Sequence, residues 1–180
     1  MLPIVVCLKG RDFMSQNKMV GRRSILFARP PVVIGAGSVA GEKEGNGAFG
    51  KYYDMVETDP LFGAETWDEA ESKMQQLAAQ VALRKAGLEP KEVRYLVAGD
   101  LLGQLIATSF GIMNFNIPMF GVYGACSTMG ESLAIGSILV DGGYADYVVA
   151  LTSSHFAAQK SNSVIPLLME ASGRILRHGQ

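Results

Sequence analysis

Strand-like runs at Val93 to Ala98, Ile117 to Tyr123 and Asp146 to Leu151 alternate with helix-length segments at Leu102 to Asn114 and Ser127 to Asp141. That alternation restricts the fold more than any other feature of the chain. Strands that are apolar on both faces need cover on both, and parallel strands need crossovers of about a dozen residues, which the helical segments supply. The order β, α, β, α, β therefore predicts an α/β fold built on a parallel-rich sheet with covering helices. Pro31 to Ala40 is β-branched, apolar and rich in glycine, which predicts a further buried strand. Its Gly35-Ala36-Gly37 lacks the further glycine and acidic residue of a dinucleotide site, so it is read as close backbone packing and implies no cofactor. From Gly41 to Glu65, glycines, charges and aromatics follow no period, which predicts an extended loop with one short helix.

One helix can be read from end to end. Thr66-Trp67-Asp68-Glu69 is a capping box, in which the threonine hydroxyl accepts from the Glu69 amide and the glutamate reaches back. Ala70, Met74, Leu77, Ala78 and Val81 then form one apolar stripe, Gly87 supplies a left-handed end, and Pro90 prevents continuation. The methionines and aromatics of Phe110 to Phe120 are read as core.

Composition removes whole classes of function. With 48% hydrophobic and 18% charged residues, the chain has the apolar surface that disordered chains lack. Its 16 basic and 17 acidic side chains give a net charge of -1, without the cationic field that nucleic-acid binding needs. A length of 180 residues suits one domain or a piece of one. No apolar stretch approaches the ~20 residues of a bilayer-spanning helix. Met1 to Leu8 lacks a basic start and a cleavage site, so no signal peptide is read. Cys7 and Cys126 are far apart and support neither a disulfide framework nor a zinc site, which fits a reducing, cytosolic-type compartment.

Ligands of open parallel sheets approach the carboxyl ends of the strands, which directs attention to Gly99-Asp100, Gly124-Ala125-Cys126-Ser127-Thr128 and Thr152-Ser153-Ser154-His155. Cys126 sits where a strand passes into a helix, a place that favours thiolate and lets amides hold an oxyanion or a carboxylate. It can equally be a small buried hydrophobe. His155 is readable as a proton carrier, as a carboxylate ligand or as a hydrogen-bonded loop residue. Asp100 is readable as a ligand contact or as a helix cap.

The runs Val97 to Leu102 (VAGDLL), Phe120 to Ser132 (FGVYGACSTMGES), Asp141-Gly142-Gly143 and Thr152 to His155 (TSSH) together resemble the stage V sporulation protein AD family of the thiolase-like superfamily. Ala36 to Glu44 (AGSVAGEKE) resembles that family's opening, and the likeness covers about residues 19 to 159. The resemblance implies the N-terminal half of a thiolase-like fold. It implies a protein that binds dipicolinic acid, free or as its calcium chelate, during uptake into spores, with no established turnover and no metal or cofactor. Asp100, Cys126, Ser127, Ser153, Ser154 and His155 are its expected ligand-binding residues. Implied partners are the other subunits of the stage V sporulation A complex and, for the full-length protein, a second copy. The implied location is peripheral, on the cytoplasmic side of the forespore or spore inner membrane. The rival reading is a thiolase-like condensing enzyme that carries its acyl group on Cys126, although such enzymes draw further catalytic side chains from a second half.

Residues 1–18 match nothing in the family and are expected to be a non-native or disordered extension, with Met14 or Met19 as the natural start. Plausible codons for Lys160 to Gln180, read in the other non-stopping frame, spell KQFRYPLINGGQRQDTATWT, which resembles the family's continuation after TSSH. A frameshift near Gln159 to Ser161 is therefore expected, leaving 160–180 as an unselected tail. Resequencing of the locus should show the shift, and an uninterrupted gene ending after Gln180 with no second-half frame downstream contradicts it.

Overall fold

The computed structural model describes residues 4–9, 18–27, 30–101 and 103–155. In chain order its first elements are strands β1 (Ile4–Lys9), β2 (Met19–Val20), β3 (Ser24–Ile25) and β4 (Val32–Gly41), helix α1 (Glu42–Gly45) and strand β5 (Met55–Glu57). Helix α2 (Trp67–Ala86), strand β6 (Tyr95–Asp100), helix α3 (Ile106–Ile112), strand β7 (Met119–Gly121), helix α4 (Thr128–Asp141) and strand β8 (Tyr147–Ser153) follow. Among the described residues six strands form one sheet in the order β5-β4-β1-β8-β6-β7, and β2 pairs with β3. Strand β6 runs parallel to β7 and to β8, and β4 runs parallel to β5. The fold is α/β, as the alternation predicts.

The sheet is mixed because β1 lies antiparallel between β4 and β8. This strand falls in the stretch that the sequence assigns to a non-native or disordered extension, and residues 4–9 of that stretch are instead paired on both sides. Its Ile4-Val5-Val6 is β-branched and suits a strand with both edges paired. The shifted-frame reading of 160–180 lies outside the described residues.

Helix α2 obeys its local signals. Thr66 caps it through the Glu69 amide with the reciprocal glutamate bond in place, and Gly87 ends it at φ 68°. The predicted stripe faces the sheet. Its Leu77 and Ala78, with Leu83, share one core with Leu96 and Ala98 of β6 and with Val149 and Leu151 of β8, and Ala70, Met74 and Val81 are buried as well. Alternate residues of the same strands, Val97, Val148 and Ala150, face the other way onto Val140, Met129 and Leu133 of α4. Side chains alternate across a strand, so α2 and α4 cover opposite faces of one sheet.

Gly35 and Gly37 let β4 lie against the backbone of α2. A Cβ on Gly35 would stand 2.7 Å from the Ala82 carbonyl oxygen, and one on Gly37 would overlap that of Ala78. The glycine pair is a packing device, as read from the sequence.

Two expectations are corrected. The stretch from Gly41 to Glu65 contains β5 as well as a short helix, because three residues can pair along β4 without any visible alternation. The Phe110 to Phe120 stretch is not uniformly core. Phe115 and Met119 pack inward, whereas Phe110, Met113 and Phe120 are 64%, 63% and 46% exposed. Helix α3 has two turns, so only Ala107, Thr108, Gly111 and Ile112 reach the interior and the residues between them face out.

Candidate functional site

Because β6, β7 and β8 run in parallel, their carboxyl ends share one edge of the sheet, and the loops beyond them carry the residues singled out by the sequence. Asp100 and Ser153 stand opposite each other in the β6–β8 register. They have the parity of Ala98 and Leu151, so both point toward α2, into the interior beneath the edge.

Asp100 is fully buried, and its carboxylate organises the turn into α3. One oxygen accepts from the Leu105 amide at 3.3 Å, and the other accepts from the Thr108 hydroxyl at 2.9 Å and its amide at 3.4 Å. The capping reading of Asp100 thus holds in substance, although the aspartate reaches the helix from the strand and Leu105 occupies the cap position. The turn needs this anchor. Gln104 and Leu105 both have left-handed backbones, with φ of 51° and 70°, a conformation that costs a residue with a side chain roughly 1–2 kcal/mol.

From Thr108 the network runs on through α2 to β8. The Gln75 amide donates to the Thr108 hydroxyl at 2.9 Å and to the Ser153 hydroxyl at 2.5 Å, and Ser153 donates to Glu71 at 2.7 Å. The backbone amide of His155 also donates to the Glu71 carboxylate. Glu71 and Gln75 are both buried. Burial pushes the Glu71 carboxyl up to about 7, the bond from Ser153 opposes that rise, and the charge of Asp100 adds to it.

The network was not legible in advance. Glu71, Gln75 and Thr108 are ordinary polar residues of helices, and their i, i+4 relation on α2 resembles a solvated face. The one available hint is that Glu71 and Gln75 directly follow Ala70 and Met74 of the apolar stripe, at its margin.

His155 lies at the surface of this same side. Its ring stands 5.4 Å from that of Trp67 at the start of α2, and Nε2 donates to the Pro60 carbonyl oxygen at 2.9 Å. The loop that presents Pro60 is itself tied down. Asp59 accepts from the Gly63 amide at 2.6 Å and the Leu61 amide at 3.0 Å, which hold its carboxyl below the ordinary carboxylate range, while Lys73 donates to the Gly63 carbonyl at 2.8 Å. Ser154 is half-buried beside it.

Cys126 and Ser127 reach the edge from the other direction, in the turn that leads into α4. The Cys126 thiol is free and exposed, which removes the buried-hydrophobe reading. Ala125 before it is left-handed at φ 49°, a strain often retained where a side chain must be presented. Ser127 donates to the Gly124 carbonyl at 2.7 Å and to Glu131, an acid in the first turn of α4. Gly99 makes the turn possible: a Cβ there would overlap the Val122 carbonyl oxygen and lie 2.8 Å from the Thr128 side chain. The predicted residues therefore share one sheet edge, and five of the six fall into two groups. Asp100, Ser153 and His155 join the α2 side through hydrogen bonds and ring packing, while Cys126 and Ser127 start the helix on the opposite face. Asp100 and Ser153 are closed off from solvent, and Cys126 and Ser127 are open to it.

Among the described residues no His, Cys, Asp and Glu side chains group to hold a metal ion, and no helix is long and apolar enough to cross a membrane. Two solved structures are similar to 52% of the chain: 3-oxoacyl-[acyl-carrier-protein] synthase III from Aquifex aeolicus VF5, at a TM-score of 0.42, 22% identity and 31% of its own length, and the priming β-ketosynthase of the R1128 polyketide pathway, at 0.44, 20% and 28%. Stage V sporulation protein AD of Bacillus subtilis (strain 168) is 37% identical over 140 residues, which are 78% of this chain and 41% of that protein, so the chain spans about two fifths of that relative's length. The family model described as Stage V sporulation protein AD matches residues 21–171, and the chain belongs to that family.

Proposed function

We propose that this sporulation-family protein binds dipicolinic acid, free or as its calcium chelate, at the shared strand edge. Cys126, Ser127, Ser154 and His155 face the ligand, with Asp100 and Ser153 supporting them from behind. The observation that carries the reading is the order β8-β6-β7 of parallel strands. Neighbouring strands lie about 4.8 Å apart, so the ends of β8 and β7 stand roughly 10 Å apart across β6. One aromatic ring bearing two carboxylates can bridge that gap. On one side the Ser154 hydroxyl and the His155 ring, itself beside Trp67, offer a donor and a stacking surface. On the other, the first amides of α4 favour an anion.

Family membership supports the remaining roles: a peripheral place on the cytoplasmic side of the forespore or spore inner membrane, beside the other subunits of the stage V sporulation A complex. Pairing of the full-length protein is supported by β7, which ends the sheet and carries the exposed Phe120. Sedimentation of the full-length relative as a monomer removes that pairing.

The shifted-frame Arg-Tyr-Pro adds a guanidinium that grips a carboxylate through two hydrogen bonds. Loss of one such charge-assisted contact is worth about 1.5–3 kcal/mol. This chain is therefore expected to bind pyridine-2,6-dicarboxylate at least about tenfold more weakly than the full-length Bacillus subtilis relative. Calorimetry on both proteins checks it. Equal affinities overturn the impairment, and no binding by the full-length relative overturns the ligand.

A further inference from the structure

We propose that Glu131 sets the charge that the strand edge accepts: it turns away a bare dicarboxylate dianion and admits the same ligand as its neutral calcium chelate. The choice of ligand form rests on the dipicolinate reading, and the charge of the edge stands without it. From Tyr95 to Gln159 the chain contains no lysine and no arginine, and the turns beyond β6, β7 and β8 all fall within that stretch. Its acids are Asp100, Glu131, Asp141 and Asp146, of which Asp100 and Glu131 reach the edge. Asp100 lies beneath it, fully buried, and Glu131 stands on it. The Glu131 carboxylate accepts from the Ser127 hydroxyl, and a Cβ on Gly124 would overlap its oxygen, so it lies against both ends of the turn that presents Cys126. Glu131 and Ser127 are both exposed.

The groups that could offset this charge are engaged elsewhere. The positive end of α4 meets Glu131 in its own first turn. On the α2 side the Lys73 ammonium donates to the Phe62 and Gly63 carbonyls, at 3.3 and 2.8 Å, and its charge acts on Asp59. His155 directs Nε2 to the Pro60 carbonyl oxygen at 2.9 Å. Glu71, behind Ser153, adds a further carboxyl group. A dianion bonded to Ser127 therefore sits two hydrogen-bond lengths, roughly 5–6 Å, from the Glu131 carboxylate. At that separation the repulsion of a doubly charged ligand is worth about tenfold in affinity even in water at low salt.

The chelate removes the conflict and gives Glu131 a partner. Calcium cancels both carboxylates of the ring and, taking about 6–8 oxygen ligands, keeps positions open for further donors. The Glu131 carboxylate and the Ser127 and Ser154 hydroxyls are donors of that kind. Specificity then comes from a group set against the wrong form as much as from contacts to the right one.

Calorimetry of the full chain at pH 8 and low salt, with pyridine-2,6-dicarboxylate in calcium-free buffer and then as its calcium chelate, should give at least about tenfold tighter binding of the chelate. Glu131→Gln keeps an acceptor for Ser127 and should narrow that ratio at least about fivefold, by strengthening the free form and weakening the chelate. Equal affinities in the parent, or an unchanged ratio in the variant, overturn the proposal. A second readout needs no ligand. The rate of Cys126 alkylation by iodoacetate divided by that with iodoacetamide, mapped by peptide mass to separate it from Cys7, should be about threefold lower in the folded chain than in the chain unfolded in urea, because the reagents differ chiefly in charge. Glu131→Gln should restore the ratio. A folded ratio equal to or above the unfolded one overturns the proposal, since the amides of α4 then govern the charge there. If neither form of the ligand binds while the alkylation ratio is lowered and restored, the charge filter stands and the ligand assignment fails.

Discussion

Gly99→Ala should melt roughly 6–12 °C below the parent chain, because a methyl group at this position has nowhere to go. The added Cβ would overlap the Val122 carbonyl oxygen and press on the Thr128 side chain at 2.8 Å. Neither neighbour yields easily. The Val122 amide is bonded to the Ala98 carbonyl oxygen at 2.9 Å, and fully buried Thr128 begins α4. Overpacking of a filled interior costs about 1–3 kcal/mol, and here the obstacle is backbone, which places the effect at the upper end, about 3 kcal/mol. For a chain of this size each kcal/mol moves the midpoint by roughly 2–4 °C. The displaced segment is the turn that carries Cys126, so the rate of alkylation at that thiol, mapped by peptide mass, should change as well. Gly130→Ala is the matched control. Nothing lies within 4 Å of a Cβ at Gly130 in the first turn of α4, and alanine there gains at most about 0.5–1 kcal/mol over glycine. A Gly99→Ala midpoint within about 2 °C of the parent contradicts the packing account.

The contrast between these glycines shows what could be read from the chain beforehand. Local chemistry announces itself: Thr66, Glu69 and Gly87 bound α2 because capping depends on residues three or four apart, and the apolar runs at Val93 and Asp146 became β6 and β8 because a strand covered on both faces must be apolar throughout. The direction of those strands followed from their crossovers, which placed Asp100, Cys126 and His155 at one edge. The side of the sheet to which each residue turns did not follow. Asp100 and Ser153 join α2 because each lies an even number of residues beyond a core position of β6 or β8, and that parity is fixed only once the strand is docked. Glu71 and Gln75 were hidden for a related reason. A polar residue beside an apolar stripe is solvated or buried according to how far the helix is rotated, and a few tens of degrees decide it. Phe110 and Met113 are exposed because hydrophobicity signals burial only on average: the two turns of α3 have too few inward positions for Phe110, and Met113 follows in the turn after it.

Asp100→Ala should lose about 3–5 kcal/mol and melt on the order of 10 °C lower, because one carboxylate there terminates three hydrogen bonds. Its removal strands the Leu105 amide, the Thr108 amide and the Thr108 hydroxyl, whose bonds of 3.3, 3.4 and 2.9 Å all end on its oxygens. A buried group left without a partner costs about 1–3 kcal/mol, so even partial rescue by water leaves a large deficit. The left-handed pair Gln104 and Leu105 adds to it, since their conformation is held by the bond that is lost. The damage should spread along the network. Thr108 without its acceptor is free to turn toward Gln75, which weakens the Gln75 link to Ser153 and hence the position of the edge residues. Asp100→Asn separates shape from charge. The amide keeps one acceptor for the turn but presents hydrogens where the Thr108 hydroxyl now donates, so its loss should be intermediate. It also deletes one of the charges that oppose ionisation of Glu71, so the Glu71 carboxyl should titrate at lower pH than in the parent while remaining above its ordinary value, because burial is the larger cause of its rise. A Glu71 titration unchanged in Asp100→Asn, with the fold intact by circular dichroism, would show that the two carboxylates do not sense each other across Gln75.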